Sequence, residues 1–428
     1  MNIKLKMRPT NWPCAIFIFD CAVMPVVKIL GFSIKISYGI AFLSILFMLM
    51  DWISRKRLTL GGAQPVLTSL FAYTALLCFG EFWSALIYGV SARTTFFKIL
   101  IGTILMIGSV HYGYTCRGRA RMAAYWSFVA NVVINCTLAL LGRSAPSFMV
   151  KLYSVSVDTF IDGYYRNGGI IGNPNSSLLI TNMILLLVVL LYRYDKLKLS
   201  NLKLASLYLL SIAADIIVSS RGELLHSLLI LAYLTVWIVK KNNTNIKLLK
   251  KIIPIAVIIV LAVGLLWGSL VQRYPNIQIS LDRMDTITDI FDAEHDDTGT
   301  ESISRPFLRA DVFWNRFRHS PLWGTGISGN GRTEDFYKGT TGYHNDFFLI
   351  LGATGILGFL LWIRIIKTAV TKVGICMLFP FMIAAISNTF VQSYFGMMLY
   401  FFIIGYILRF SDEKEHPPRL LGQKKCIV

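Results

Sequence analysis

Two residues far apart in the sequence carry the side chains best suited to chemistry at a membrane surface. Arg221 stands in Ser219-Ser220-Arg221-Gly222-Glu223 at the head of one apolar run, and His344 stands in Tyr343-His344-Asn345-Asp346-Phe347-Phe348 at the head of another. Serines ahead of an apolar run are helix-capping residues, so Arg221 falls at a helix N-terminus. Unsatisfied backbone N–H groups, the helix dipole and a guanidinium able to donate two parallel hydrogen bonds then coincide, and together they suit a diphosphate. An ionisable residue at membrane depth is a functional candidate by default, although a snorkelling, topology-setting arginine is the plainer reading. A neutral imidazole at His344, on the membrane boundary, is suited to take a proton from an attacking hydroxyl. A solitary loop histidine is more often inert. Asn345 is a candidate for substrate contact, and Asn345 or Asp346 serves equally well as a helix cap.

Other candidates carry weaker signals. Arg305 and Arg309 lie four apart, hence on one face of a helix, close to Trp314. They suit phosphate or sugar hydroxyls, and binding of lipid headgroups by an interfacial helix explains them too. Arg166 precedes Gly168-Gly169 and Gly172-Asn173-Pro174-Asn175. Asn173 and Asn175 are candidates for sugar binding, and turn formation accounts for them at least as well. Glu223 and His226 have the spacing of a pair within a helix bundle. Gly352, Gly355 and Gly358 repeat every three residues, which predicts close helix packing. The sequence has no Gly-x-x-x-x-Gly-Lys loop, no Cys/His cluster at metal-ligand spacing and no nucleophile elbow, so the chemistry is expected to need neither metal nor cofactor.

The elements that must position these residues are membrane spans. Hydrophobic residues make up 55% of the 428, charged ones 15%, and the mean hydropathy is +0.59, which excludes an ordinary soluble domain. A net charge of +19 raises the question of nucleic acid. The cations are scattered in short clusters between apolar runs rather than gathered on one face, so no nucleic-acid partner is expected. A bilayer core needs about 20 apolar helical residues, and about twelve stretches qualify: Trp12–Val27, Tyr38–Met50, Val66–Tyr88, Phe96–Tyr112, Ala123–Leu141, Ser177–Tyr192, Leu204–Val218, Leu224–Val239, Ile252–Val271, Phe347–Ile363, Val373–Ser387 and Phe395–Leu408. Alternate loops hold 26 of the 42 cations, and by the positive-inside rule those loops and both termini are cytoplasmic. The first stretch carries Asp20 and lacks a small-residue cleavage site, so it reads as an uncleaved anchor. None of the seven cysteines lies in the large outer loop, and no disulfide framework is expected. The expected organisation is nine spans over residues 1–271, a periplasmic loop domain over 272–345, three spans over 346–410 and a cytoplasmic tail over 411–428.

Three segments recur in a fixed order: Ser-Ser-Arg221-Gly-Glu opening a span, a long outer loop with Ser304-Arg305 and Ser320-Pro-Leu-Trp-Gly-Thr-Gly, and then His344-Asn-Asp-Phe-Phe-Leu-Ile-Leu-Gly-Ala-Thr-Gly-Ile-Leu-Gly. In that order and spacing the chain resembles the bacterial O-antigen polymerase and O-antigen ligase superfamily. Arg166 with Gly172-Asn173-Pro174-Asn175 is similar to the upstream segment common in these proteins, and the resemblance runs from about Arg166 to Leu360. It implies an all-α integral membrane protein of about twelve helices, a GT-C-like bundle with a large periplasmic loop between the ninth and tenth. It also implies an inverting, metal-independent glycosyltransferase of the inner membrane whose donor is an undecaprenyl-diphosphate-linked glycan. Arg221 and Arg305 would hold the diphosphate, with Arg309 a weaker carry-over, and His344 would position or deprotonate the acceptor hydroxyl. The acceptor would be a lipid-linked repeat unit for a polymerase, the favoured reading, or the lipid A–core for a ligase. Membrane lipids and a chain-length regulator are the further partners implied. An O-linked protein glycosyltransferase and, from a different class, a polysaccharide flippase or exporter stand as alternatives; a flippase should show repeated halves and cations lining a central cavity.

Overall fold

The computed structural model describes residues 12–24, 27–29, 32–55, 60–88, 93–116, 121–141, 160–161, 164–165, 170, 174–218, 220–241, 310–326, 346–386 and 394–415. Helices dominate them: α1 (Trp12–Ala22), α2 (Ile36–Arg55), α3 (Gln64–Tyr88), α4 (Arg93–Thr115), α5 (Arg121–Leu141), α6 (Pro174–Arg193), α7 (Asn201–Val218), α8 (Arg221–Lys241), α9 (Ala310–His319), α10 (Asp346–Lys372), α11 (Phe379–Ile386) and α12 (Tyr394–Glu415). Two antiparallel ladders, β1 (Val27–Ile29) with β2 (Phe32–Ile34) and β3 (Phe160–Ile161) with β4 (Tyr164–Tyr165), are the strands among the described residues. Seven of the described helices are long and apolar enough to cross a membrane, and the chain is a multi-pass, helical membrane protein. Nine of the twelve expected apolar stretches fall on a described helix; Trp12–Val27 runs past α1 into β1, Val373–Ser387 is a 3-10 turn and the eight-residue α11, and Ile252–Val271 lies outside the described residues, as does most of the expected loop domain. Some ends differ from expectation. Helix α10 continues to Lys372, so Arg364 and Lys367 sit on helix rather than in a loop, and α12 continues to Glu415, past the expected start of the tail.

Helix α6 is apolar around most of its circumference, and Leu178 to Leu191 are buried throughout. A helix this apolar belongs inside a bundle, and α6 has α5, α7 and α8 around it. Lipid is as apolar as leucine, so helix association here depends on close packing rather than on escape from water. Small residues provide it. A Cβ on Gly113 of α4 would overlap the Phe402 carbonyl of α12, and one on Gly405 would overlap the Val110 carbonyl of α4. On the other side of α4, Gly108 lies against the backbone of Ala41 in α2. Outward-facing Phe42, Phe47 and Met50 of α2 and Phe82 and Leu86 of α3 are exposed, as a lipid-facing belt must be.

The two ends of the bundle differ chemically. At one end Arg409 donates to the Cys116 carbonyl, and the Asp412 carboxylate accepts from Gly62 N–H at 2.8 Å and Tyr114 O–H at 2.6 Å. Arg193 donates to the Val373 carbonyl at 2.9 Å, Lys241 pairs with Asp195, and Arg121 and Lys196 lie over the Phe410 ring. Of the cations that the charge pattern assigned to one side, the described Arg121, Arg193, Lys196, Lys241 and Arg409 lie there. Because the C-terminal ends of α6, α8 and α10 meet at this end, their N-termini, at Pro174, Arg221 and Asp346, lie at the other.

Candidate functional site

Helix α8 runs parallel to α6 in a fixed register. Asn175 meets Ser220, Asn182 meets Ser227, and Tyr192 meets Trp237, each pair 45 residues apart. Ser220 precedes the helix and caps it, its Oγ accepting from Glu223 N–H at 3.4 Å while donating to Asn175 Oδ1 at 2.7 Å. One turn deeper, Asn182 Nδ2 donates to both the carbonyl and the carboxylate of Glu223, at 2.9 Å each, and Asn182 Oδ1 accepts from Ser227 Oγ at 2.6 Å. His226 Nδ1 faces Glu223 Oε2 at 3.2 Å, the pairing expected from their spacing. Asn182, Asp215, Glu223 and His226 are all buried, so this is a polar core inside an apolar bundle. Away from water such groups depend on one another for hydrogen bonds, and among the described residues Asp215 Oδ2 and His226 Nε2 find none. On the α5 side of α6, Thr181 donates to Asn131 Oδ1, and Asn135 accepts from Ile170 N–H at 2.9 Å. Helix α6 is thereby pinned on two sides, and the backbone of Arg221 starts directly above the pinned turn.

The second half of the site is a broken helix. Gly355 inside α10 has φ +61° and ψ −165°, so the helical path is interrupted there. The glycine triplet was expected to serve close packing; at Gly355 the close approach is by the segment Ser320–Gly326, whose Leu322 backbone a Cβ there would overlap, and the helix is interrupted as well. Ile356 N–H donates to the Pro321 carbonyl at 2.9 Å and Leu357 N–H to the Leu322 carbonyl at 3.1 Å; the Gly352 and Ala353 carbonyls accept from Thr325 and Gly326 N–H at 3.1 and 2.9 Å. Non-helical backbone at membrane depth is tolerated where it is buried in protein, and Ser320, Gly324, Thr325 and Gly326 are buried. Ser84 of α3 also donates to the Thr325 carbonyl. Gly80 of α3 lies against Gly326 N and the Ala353 carbonyl, eight residues short of the end of α3 and so about 12 Å below it at helical rise. Just before the segment, α9 is the amphipathic helix its composition predicted. The Phe313 ring stacks on Phe348 of α10, centroids 4.6 Å apart, and Arg316 is buried at 1% exposure. Partial burial, and then neighbouring Arg318, hold His319 below the ordinary imidazole value.

Of the residues marked out in the sequence, Arg221 opens α8 and Asn175 sits in the first turn of α6, its side-chain oxygen engaged by Ser220. Arg166, Asn173, Arg305, Arg309, His344 and Asn345 lie outside the described residues. The arrangement brings three helix N-termini, those of α6, α8 and α10, to the end of the bundle opposite the cationic one. The aligned dipoles of helices starting there favour an anion. Sequence reasoning missed Asn182 and Thr325; a lone amide inside an otherwise apolar run was the available signal for the first.

Residues 206–363, just over a third of the chain, match the model of the family described as O-antigen ligase. The matched stretch begins within α7 and ends in α10 beyond the break, and so takes in the start of α8, α9 and the inserted segment. No curated protein matches the chain.

Proposed function

We propose, from the premise that over residues 206–363 the chain belongs to the O-antigen polymerase and ligase superfamily, that it is a membrane glycosyltransferase extending a surface polysaccharide. The donor is an undecaprenyl-diphosphate-linked glycan and the acceptor a sugar hydroxyl of a lipid-linked repeat unit. The full architecture proposed is a bundle of about twelve spans, termini in the cytoplasm, with the site on the periplasmic face of the inner membrane.

The observation that carries the reading is the placement of the Arg221 helix start and the Asp346 helix start, two residues after His344, at the same end of the bundle. Transfer is then a direct displacement. The acceptor oxygen attacks the anomeric carbon from the face opposite the diphosphate, and the bond to the diphosphate oxygen breaks with its electron pair leaving on that oxygen. His344 takes the hydroxyl proton. Arg221 and Arg305 stabilise the charge developing on the leaving group, with N–H groups of the helix termini adding to the field. Arg166, Arg309, Asn173, Asn175 and Asn345 are assigned to holding the sugars and the diphosphate. The displacement inverts configuration and needs no protein nucleophile.

The description of the matched family as O-antigen ligase supports a second reading, in which the acceptor is the lipid A–core. Deletion followed by electrophoresis of surface glycan separates the two. A core bearing one repeat unit is the outcome for a lost polymerase. Lipid-linked polymer accumulating beside bare core would replace the polymerase reading with the ligase one. Unchanged glycan would overturn both.

A further inference from the structure

The hydrogen bonds between Pro321–Gly326 and α10 replace, one for one, the two helical bonds lost at Gly355. In an unbroken helix Ile356 N–H would bond the Gly352 carbonyl and Leu357 N–H the Ala353 carbonyl. Here the two amides go to Pro321 and Leu322, and the two carbonyls take Thr325 and Gly326 N–H instead. The outer segment is spliced into the helix ladder. Glycine is required on both partners: Gly324, Gly326 and Gly355 all have positive φ, at +73°, +73° and +61°. A Cβ on Gly324 would overlap the Ala353 backbone, one on Gly326 would stand 2.6 Å from Glu81 Cδ, and one on Gly355 would overlap Leu322.

A continuous helix would satisfy these groups unaided, so packing alone does not demand the break. What the break does is free the direction of Asp346–Thr354 from that of Ile356–Lys372. The longer half is tied at the cationic end through the Val373 carbonyl to Arg193 and Tyr194, and its Trp362 ring packs edge-on to Tyr73 of α3. The shorter half is tied to the outer segment by the splice below and the Phe313–Phe348 stack above. We infer that the splice holds the short half of α10 and the outer segment as one body, and that Thr325, Gly326 and Gly355 are positioning residues that set the place of the α10 start at Asp346, on which the proposed site depends. The inference rests on the proposed role of His344 as the base. A misplacement of about 1 Å at a reacting group costs on the order of a hundredfold in rate.

The test uses the full chain in proteoliposomes with an undecaprenyl-diphosphate-linked glycan as donor, and adds backbone hydrogen exchange, which does not depend on activity. The Ile356 and Leu357 amides should exchange as slowly as the interior of α10, despite the break beside them. Gly355→Ala and Gly326→Ala should lower kcat about a hundredfold while KM for the donor stays as in the unmodified protein. Thr325→Ser, which keeps the hydroxyl directed at the Gly352 carbonyl, should retain kcat. Fast exchange at Ile356 and Leu357 would overturn the splice itself. Unchanged kcat in both glycine variants, or kcat falling only in step with the yield of folded protein, would overturn the positioning role. An unmodified chain that transfers glycan to no acceptor would instead remove the functional reading, while slow exchange would leave the splice standing.

Discussion

The side-chain amide of Asn182 reaches across from α6 to hold both the backbone carbonyl and the carboxylate of Glu223, two residues after Arg221. One neutral group thus fixes the rotation and the height of the first turn of α8. Asn182→Ala deletes both donors and leaves the Glu223 carboxylate buried with fewer partners. The expected cost is about 1–3 kcal/mol of stability, read as a lower unfolding temperature in detergent. Transfer activity should fall with it, because the helix start that presents Arg221 is no longer pinned. An Asn182→Ala protein with unaltered thermal stability would show that the clamp contributes nothing.

The α4–α12 contact should be as intolerant of added volume as the site is of lost polarity. Gly405 and Gly113 bring the two backbones together, and overpacking such a contact costs typically about 1–3 kcal/mol. Gly405→Ala should therefore reduce the yield of folded protein and lower its Tm. The seam lies toward the cationic end, so activity per folded molecule should change far less than for Gly355→Ala.

The pH dependence of transfer should carry one acid limb, the signature of the base proposed at His344. His319, at the end of α9, is another histidine of the same matched stretch. Partial burial, and then Arg318, depress its titration. A histidine whose folded value lies below its unfolded value favours the folded state while neutral, and that contribution is lost as pH falls through the unfolded value toward the folded one. His319→Gln should keep the limb and His344→Gln should abolish activity, both checked by initial rates across pH 5–8. A limb that disappears in His319→Gln would reassign the base.

How much of this was legible in the sequence differs by element. Apolar runs and alternating cation clusters carry their own physical meaning, so α2, α5, α6 and α8 fall where expected and the described cations Arg121, Arg193, Lys196, Lys241 and Arg409 share one end. The serine cap at Ser220 and the Glu223–His226 pair followed from spacing alone. The break at Gly355 did not. Glycines three apart satisfy close helix packing and a helix interruption equally well, and only the partner segment, Ser320–Gly326, thirty residues upstream, decides between them. Arg316 was visible as a cation but not as a buried one, since an amphipathic helix leaves open which face meets water. Asn182 was hidden for the opposite reason: a single amide in a leucine-rich run has no local partner, and its role appears only when α8 lies in parallel register beside α6.

Donor handling by Arg221 is what the rest depends on, and a reconstituted transfer assay tests it most directly. Purified protein in proteoliposomes is given an undecaprenyl-diphosphate-linked repeat unit, and product length is followed for the unmodified chain, Arg221→Lys and Arg221→Ala. The expected result is loss of transfer by a factor on the order of a hundred or more in Arg221→Ala, partial activity in Arg221→Lys, which keeps the charge but not the paired hydrogen bonds, and normal membrane insertion in both. Full activity of an inserted Arg221→Ala protein would contradict the account.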